Sequence, residues 1–189
     1  MAITTLNLRA LNRSDTASAG QLVTATSAVA MDFQAAAAGG KIGQVVSTLK
    51  TDTESSTSTS FVSADFAVVI TPVATSSKIL LLVSLGSIAP VYAGQFVHTK
   101  IVGGNCATYI GGAALGYETA MTSIGATTDN YSQSSCNMMY LDSPATTSET
   151  TYTMHWASSG TSVWLNQSAT LRAVNGNTAS TFTAMEILA

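Results

Sequence analysis

Charge is the scarcest commodity in this sequence. Asp, Glu, Lys and Arg make up 9% of its 189 residues, against about 25% in an ordinary soluble domain. The seven basic and ten acidic residues leave a net charge of -3, so there is no basic footprint and no nucleic-acid partner is expected. Histidine is limited to His98 and His155, cysteine to Cys106 and Cys136, and proline to Pro72, Pro90 and Pro144. With no Cys/His ligand spacing and no glycine-rich phosphate loop, neither a metal nor a cofactor is expected. Long apolar runs are also missing. The longest, Ile79 to Val83, is far short of the roughly 20 residues that span a bilayer, so no membrane partner is expected. The opening MAITTLNLRALNRS lacks a charged segment followed by an apolar one, so secretion by a signal peptide is not expected and synthesis in a cytoplasm is.

What fills the space is small and hydroxylated. Hydrophobic residues reach 46%, much of it Ala and Val, and the polar remainder is mostly Ser, Thr, Asn and Gly. Such a chain covers its surface with hydroxyls instead of ions. That suits a protein held in an assembly, where Lys and Glu would have to be desolvated at every contact. For the two distant cysteines, buried free thiols are the plainer reading in a cytoplasmic protein, and a disulfide formed after lysis is the sharper one.

From Lys41 onward the hydrophobic period is two, the period of strands. Strands are predicted at Ile42–Leu49, Phe61–Ile70, Lys78–Ser87, Gln95–Val102, Ser134–Leu141, Thr150–Trp156, Ser162–Gln167 and Thr181–Leu188. Short strands are also predicted at Thr108–Ile110, Tyr117–Met121 and Leu171–Val174, with a tight turn at Asn175-Gly176-Asn177. Between them the glycines from Gly103 to Gly125 suggest bulges or close backbone approach. The continuous apolar run KILLLVSLGS predicts a strand covered on both faces. Met138 to Trp156 reads as strand, turn and strand, a core hairpin with Tyr152, Met154 and Trp156 on one face, and Ser162–Gln167 is expected to pair next to it. Eight to ten short strands at this spacing predict an all-β protein, a jelly-roll-like β-sandwich. Residues 1–39 differ: apolar residues occur singly, and one helical turn is possible at Leu8–Leu11. They are read as an extended anchoring arm, with Ala35–Gly40 as hinge.

Four segments also carry a resemblance: GKIGQVVSTLKTDTESSTSTSF at Gly40–Phe61, VVITPVATSSKILLLVS at Val68–Ser84, LDSPATTS followed by TTYT in the 141–153 region, and STFTAMEILA at Ser180–Ala189. Together they resemble the C-terminal globular domain of tail-fibre and other virion-surface proteins of tailed bacteriophages of cyanobacterial and marine hosts. The resemblance implies a small trimeric β-sandwich on a virion, assembled in the host bacterial cytoplasm, without catalysis. It covers residues 40–189, the knob domain.

The residues themselves offer little chemistry, and no catalytic, cofactor-binding or metal-ligating residue is assigned. His98 and His155 lie between apolar neighbours and read as structural imidazoles. A Ser143, His155 and Asp142 triad lacks a nucleophile elbow, and residues adjacent in a turn cannot easily act as nucleophile and orienter together. Asp52 and Glu54 read as a solvated strand edge before a calcium site. Trp156, Trp164, Tyr109, Tyr117 and Tyr131 would make a sugar platform if exposed, but core or intersubunit packing is the plainer reading for the tryptophans. Two function classes follow. One is a homotrimer that decorates or cements a capsid, its arm engaging the major capsid protein or other virion proteins. The other is a short tail fibre or receptor-binding tip that holds host-surface glycan. A virion enzyme is a third and weaker class.

Overall fold

The computed structural model describes residues 21–27, 30–35, 41–92, 94–106, 122–125, 133–167 and 177–188. The chain divides into two compact units, Met1–Gly39 and Gly40–Ala189. In the first, β1 (Gln21–Ser27) and β2 (Ala30–Ala35) pair antiparallel, with a bulge between Ala25 and Ser27. The helical turn at Leu8–Leu11 and most of the hinge at Ala35–Gly40 lie outside the described residues.

The second unit is built from ten described strands: β3 (Lys41–Lys50), β4 (Glu54–Ser56), β5 (Val62–Ile70), β6 (Lys78–Pro90), β7 (Phe96–Val102), β8 (Thr122–Gly125), β9 (Ser134–Asp142), β10 (Thr150–Ser158), β11 (Val163–Leu165) and β12 (Ser180–Leu188). One sheet has the order β5-β10-β7-β8. The other runs β3-β12-β6, with β9 on the far edge of β6, and every pairing is antiparallel. One four-stranded and one six-stranded antiparallel sheet, between which the chain crosses repeatedly from β4 to β11, form the expected β-sandwich. The other expected short strands, at Thr108–Ile110, Tyr117–Met121 and Leu171–Val174, and Asn175 and Gly176 of the expected turn lie outside the described residues.

Inner positions of both sheets make one core. Phe66, Val68 and Ile70 of β5, Ile79, Leu81, Val83 and Leu85 of β6, Tyr152, Met154 and Trp156 of β10, and Phe182 and Ala184 of β12 are all buried. Phe66 and Phe182 meet edge to face across the layers, centroids 5.8 Å apart at 61°, a favoured aromatic geometry. The period-two reading of β10 therefore grouped on one face the residues that turn inward.

Two expected pairings are corrected. Met138 to Trp156 is not a hairpin: β9 pairs β6, whereas β10 pairs β5 and β7 in the opposite sheet. Segment 143–149, with Pro144 and with Ala145 at φ 52°, carries the chain from one layer to the other. The short strand β11 likewise does not pair β10 but lies between β6 and β4. It extends the line of β12 along the same edge of β6, and the junction is closed by buried Asn166. The Asn166 amide donates to the carbonyls of Lys50 (2.9 Å) and Asp52 (3.1 Å). Its oxygen accepts from the Ser180 hydroxyl at 2.6 Å. One side chain thus satisfies backbone groups where two strands on each line stop short.

Candidate functional site

The two sheets present different outer faces. On β9-β6-β12-β3 the register aligns outward residues in rows across the four strands. Leu141, Leu80, Met185 and Val45 form one row. Met139, Leu82, Thr183 and Ser47 form the next, and Asn137, Ser84, Thr181 and Leu49 the third. No position in these rows is charged. Within the second row the Ser47 and Thr183 hydroxyls satisfy each other at 2.9 Å. A groove of about 390 Å³ runs along the face, lined in part by Leu82, Asn137, Met139 and Thr183.

The expectation that β6 is covered on both faces is met on one side only within the chain. Ile79, Leu81, Val83 and Leu85 are fully or nearly fully buried, while Leu80 and Leu82 on the outer side are half-buried. The edge strands are barer still: Met139 is 69% exposed and Leu49 62%. The signal for this was present in the sequence as adjacent apolar pairs such as Val45-Val46 and Met138-Met139. A strand wet on one face alternates, and these do not.

The outer face of β5-β10-β7-β8 is polar and aromatic. His155 is in register with Ser63 and Lys100, and His98 with Ala157 and Ser123. Both histidines lie inside strands, as expected, half-buried on the outer side. The His98 ring lies nearly parallel to that of Phe96, at 16° with centroids 6.5 Å apart. Phe96 in turn lies against Gly125: a Cβ there would stand 2.8 Å from the ring. The missing side chain lets the ring settle on the backbone. Lys100 caps the Phe61 ring at 4.4 Å from its centroid, within cation–π range. Tyr92, 55% exposed, lies in the loop that leads into β7.

Where the two sheets adjoin, the sequence-derived triad comes apart. Asp142 is buried, and its Oδ2 accepts from the Tyr152 hydroxyl at 2.7 Å and the Asn105 N–H at 3.2 Å. Ser143 contributes its carbonyl to the Asn105 amide at 2.5 Å, and His155 faces away on the outer surface. The other Asp142 oxygen, Oδ1, is buried with no hydrogen-bond partner among the described residues. Gly103 and Gly104, at φ 136° and 51°, fit against this cluster as the close approach read from the glycines. A side chain on Gly103 would strike the Thr151 carbonyl, and one on Gly104 the Asp142 carboxylate. Burial raises the Tyr152 hydroxyl well above its ordinary range, and the bond to Asp142 adds to it. Burial, with the charge of Asp142 adding, pushes the Cys106 thiol up to about 12. Cys106 and Cys136 are both buried, and a thiol held as far above neutrality as that of Cys106 is a weak nucleophile.

Asp52 and Glu54 do more than line a wet edge. They draw in Lys50, which is 6% exposed, with Nζ 2.9 Å from Asp52 and 3.3 Å from Glu54. Burial alone would lower the Lys50 ammonium, but the paired carboxylates outweigh it and raise it. The hydrogen bond from Lys50 lowers the Asp52 carboxyl, whereas burial raises that of Glu54 despite the same partner. This cluster fastens the junction of β3 and β4. Glu186, fully buried on β12, was not singled out by sequence. It accepts from the Gln44 amide at 2.8 Å and the Val73 N–H at 2.7 Å. Burial alone would raise its carboxyl, yet these donors hold it below the ordinary value. Trp156 is fully buried and Trp164 half-buried, while Tyr109, Tyr117 and Tyr131 lie outside the described residues.

A scan of protein families finds no match to this chain, and a search of curated proteins finds none. Among solved structures, one of infectious bursal disease virus, Gx strain, is similar at 11% identity and a TM-score of 0.30. The likeness covers 88% of this chain and 46% of that one. The chain therefore spans less than half of that protein, and a likeness so distant carries no functional argument.

Proposed function

We propose that this chain is a structural subunit of a bacteriophage virion, a homotrimer that decorates or cements the capsid and whose residues 1–39 anchor it to other virion proteins. The observation that carries the reading is where the four resembling segments fall in the fold. Dispersed from Gly40 to Ala189 in sequence, they supply β3, β4, the first half of β6, the end of β9 and all of β12 in one sheet, and the end of β5 and the first half of β10 in the other. The resembling segments thus supply core strands of both layers, so the resemblance spans the sandwich and is not confined to one hairpin. The 9% charge content supports the same reading, since a hydroxyl and apolar surface loses little on permanent burial.

A short tail fibre or receptor tip that holds host-surface glycan is the second reading. It is favoured by the Phe96 and His98 rings laid along the outer sheet near exposed Tyr92, because flat exposed rings stack on the apolar faces of sugars. The copy number of the chain per purified particle, measured by mass spectrometry against the major capsid protein, separates the two. Hundreds of copies support capsid decoration, a few tens or fewer support a tail location, and absence from particles overturns both.

A further inference from the structure

We infer that copies of this chain pack on one another through the outer face of β9-β6-β12-β3, with the row Leu141, Leu80, Met185 and Val45 in the contact. The inference rests on the self-association proposed above and adds its location.

Three observations lead to the face and its occupant. The first is the β6 run of consecutive apolar residues from Ile79 to Val83, the pattern of a strand covered on both sides. The chain itself buries Ile79, Leu81 and Val83 and leaves Leu80 and Leu82 half-buried. The second is area. Ile42, Val45, Leu49, Met139 and Leu141 are between 48% and 69% exposed, together roughly 500 Å² of apolar surface, at the size where a monomer's largest patch is usually functional. A standard interface takes about 800 Å² from each partner, and between identical chains about 65% of it is apolar, or again about 500 Å². The third is the absence of charge from all three registered rows. Lys78, in register with Ile187 and Ile42, borders these rows, and a face with so little charge offers little pattern by which a charged partner would be selected and meets its own copy with few like charges opposed. The other sheet lacks these properties, since Asp65, Lys100, His98 and His155 lie on its outer face.

The test compares lysines on the two faces of the full chain. Val45→Lys and Met139→Lys substitute residues that are 53% and 69% exposed, and Val69→Lys one that is 41% exposed on the opposite sheet. All three sites face outward, so each variant is expected to retain the β circular-dichroism spectrum of the parent. Light scattering across a dilution series should give a trimer for the parent and Val69→Lys. Val45→Lys and Met139→Lys should associate at least a hundredfold more weakly. If the parent is a stable monomer, self-association and its location both fall. If the parent is a trimer and both lysine variants hold together as tightly, the location falls and the trimer stands.

Discussion

The two outer faces of this sandwich are made from strands of similar length, yet their sequences obey different rules. β10 alternates strictly: Tyr152, Met154 and Trp156 point into the core, and Thr151, Thr153 and His155 point out. β6 does not alternate, and Leu80 and Leu82 stand where β10 has threonine and histidine. The inner residues of both strands are interchangeable in kind, so they specify the sandwich and nothing more. What distinguishes the faces is the residue of the other parity. On one sheet that parity is compatible with water, and on the other it is compatible with burial. For this β-sandwich, then, fold is written on the inward positions and interaction on the outward ones.

Changes that move one face toward the other should break this contrast most visibly. Placing Val45→Lys and Met139→Lys together should weaken association at least a hundredfold, about 3 kcal/mol or more, as read by sedimentation equilibrium. Val69→Lys should leave the mass unchanged. Beneath both faces the interior is shared, and there the contrast should vanish. Tyr152→Phe removes the hydroxyl that donates to buried Asp142. It should lower unfolding free energy by about 1–3 kcal/mol in urea titrations without altering association of the native state.

Acid should act through the apolar sheet, where Glu186 is buried. Because its folded pKa is depressed, its contribution is present above the unfolded glutamate value of about 4.3 and is lost as pH falls through the folded value. Glu186→Gln should therefore cost on the order of 1–2 kcal/mol at neutral pH, and the gap from the parent should close below about pH 4. Glu54 works in the opposite sense. Its folded pKa is raised, so its contribution is present at low pH and is lost as pH rises from the unfolded value through the folded one. The smallest stability effect belongs to the polar face: Phe96→Ala at a ring 46% exposed should change stability by no more than about 0.5 kcal/mol. Retention of host-glycan binding by that variant would remove the platform from the second reading.

Much of this was legible from the chain. Period-two alternation located β3, β5, β7, β10 and β12 to within a residue or two and grouped Tyr152, Met154 and Trp156 on one face of β10. Strand partners were less legible. A segment such as 143–149 between two apolar runs looks the same whether it turns back into a hairpin or crosses to the opposite layer, and only the three-dimensional pairing of β9 with β6 decides it. Asp142 illustrates the limit for sites. LDSP reads as a turn that ends a strand, and β9 does end there, but the burial of the Asp142 carboxylate depends on Tyr152 and Asn105, which approach through the fold. Lys50 was illegible for the same reason. A lysine ending a strand is ordinarily solvated, and its burial follows from Asp52 and Glu54 closing over it.

The claim that copies meet through the β9-β6-β12-β3 face is tested most directly by cross-linking. Both native thiols are buried, so one introduced cysteine reports on its own position. Thr183→Cys lies in the middle row of the face and Val69→Cys on the opposite sheet. With a short bis-maleimide on the full-length protein, Thr183→Cys should yield covalent dimers at concentrations where Val69→Cys yields none. Dimers from Val69→Cys and none from Thr183→Cys would contradict the account.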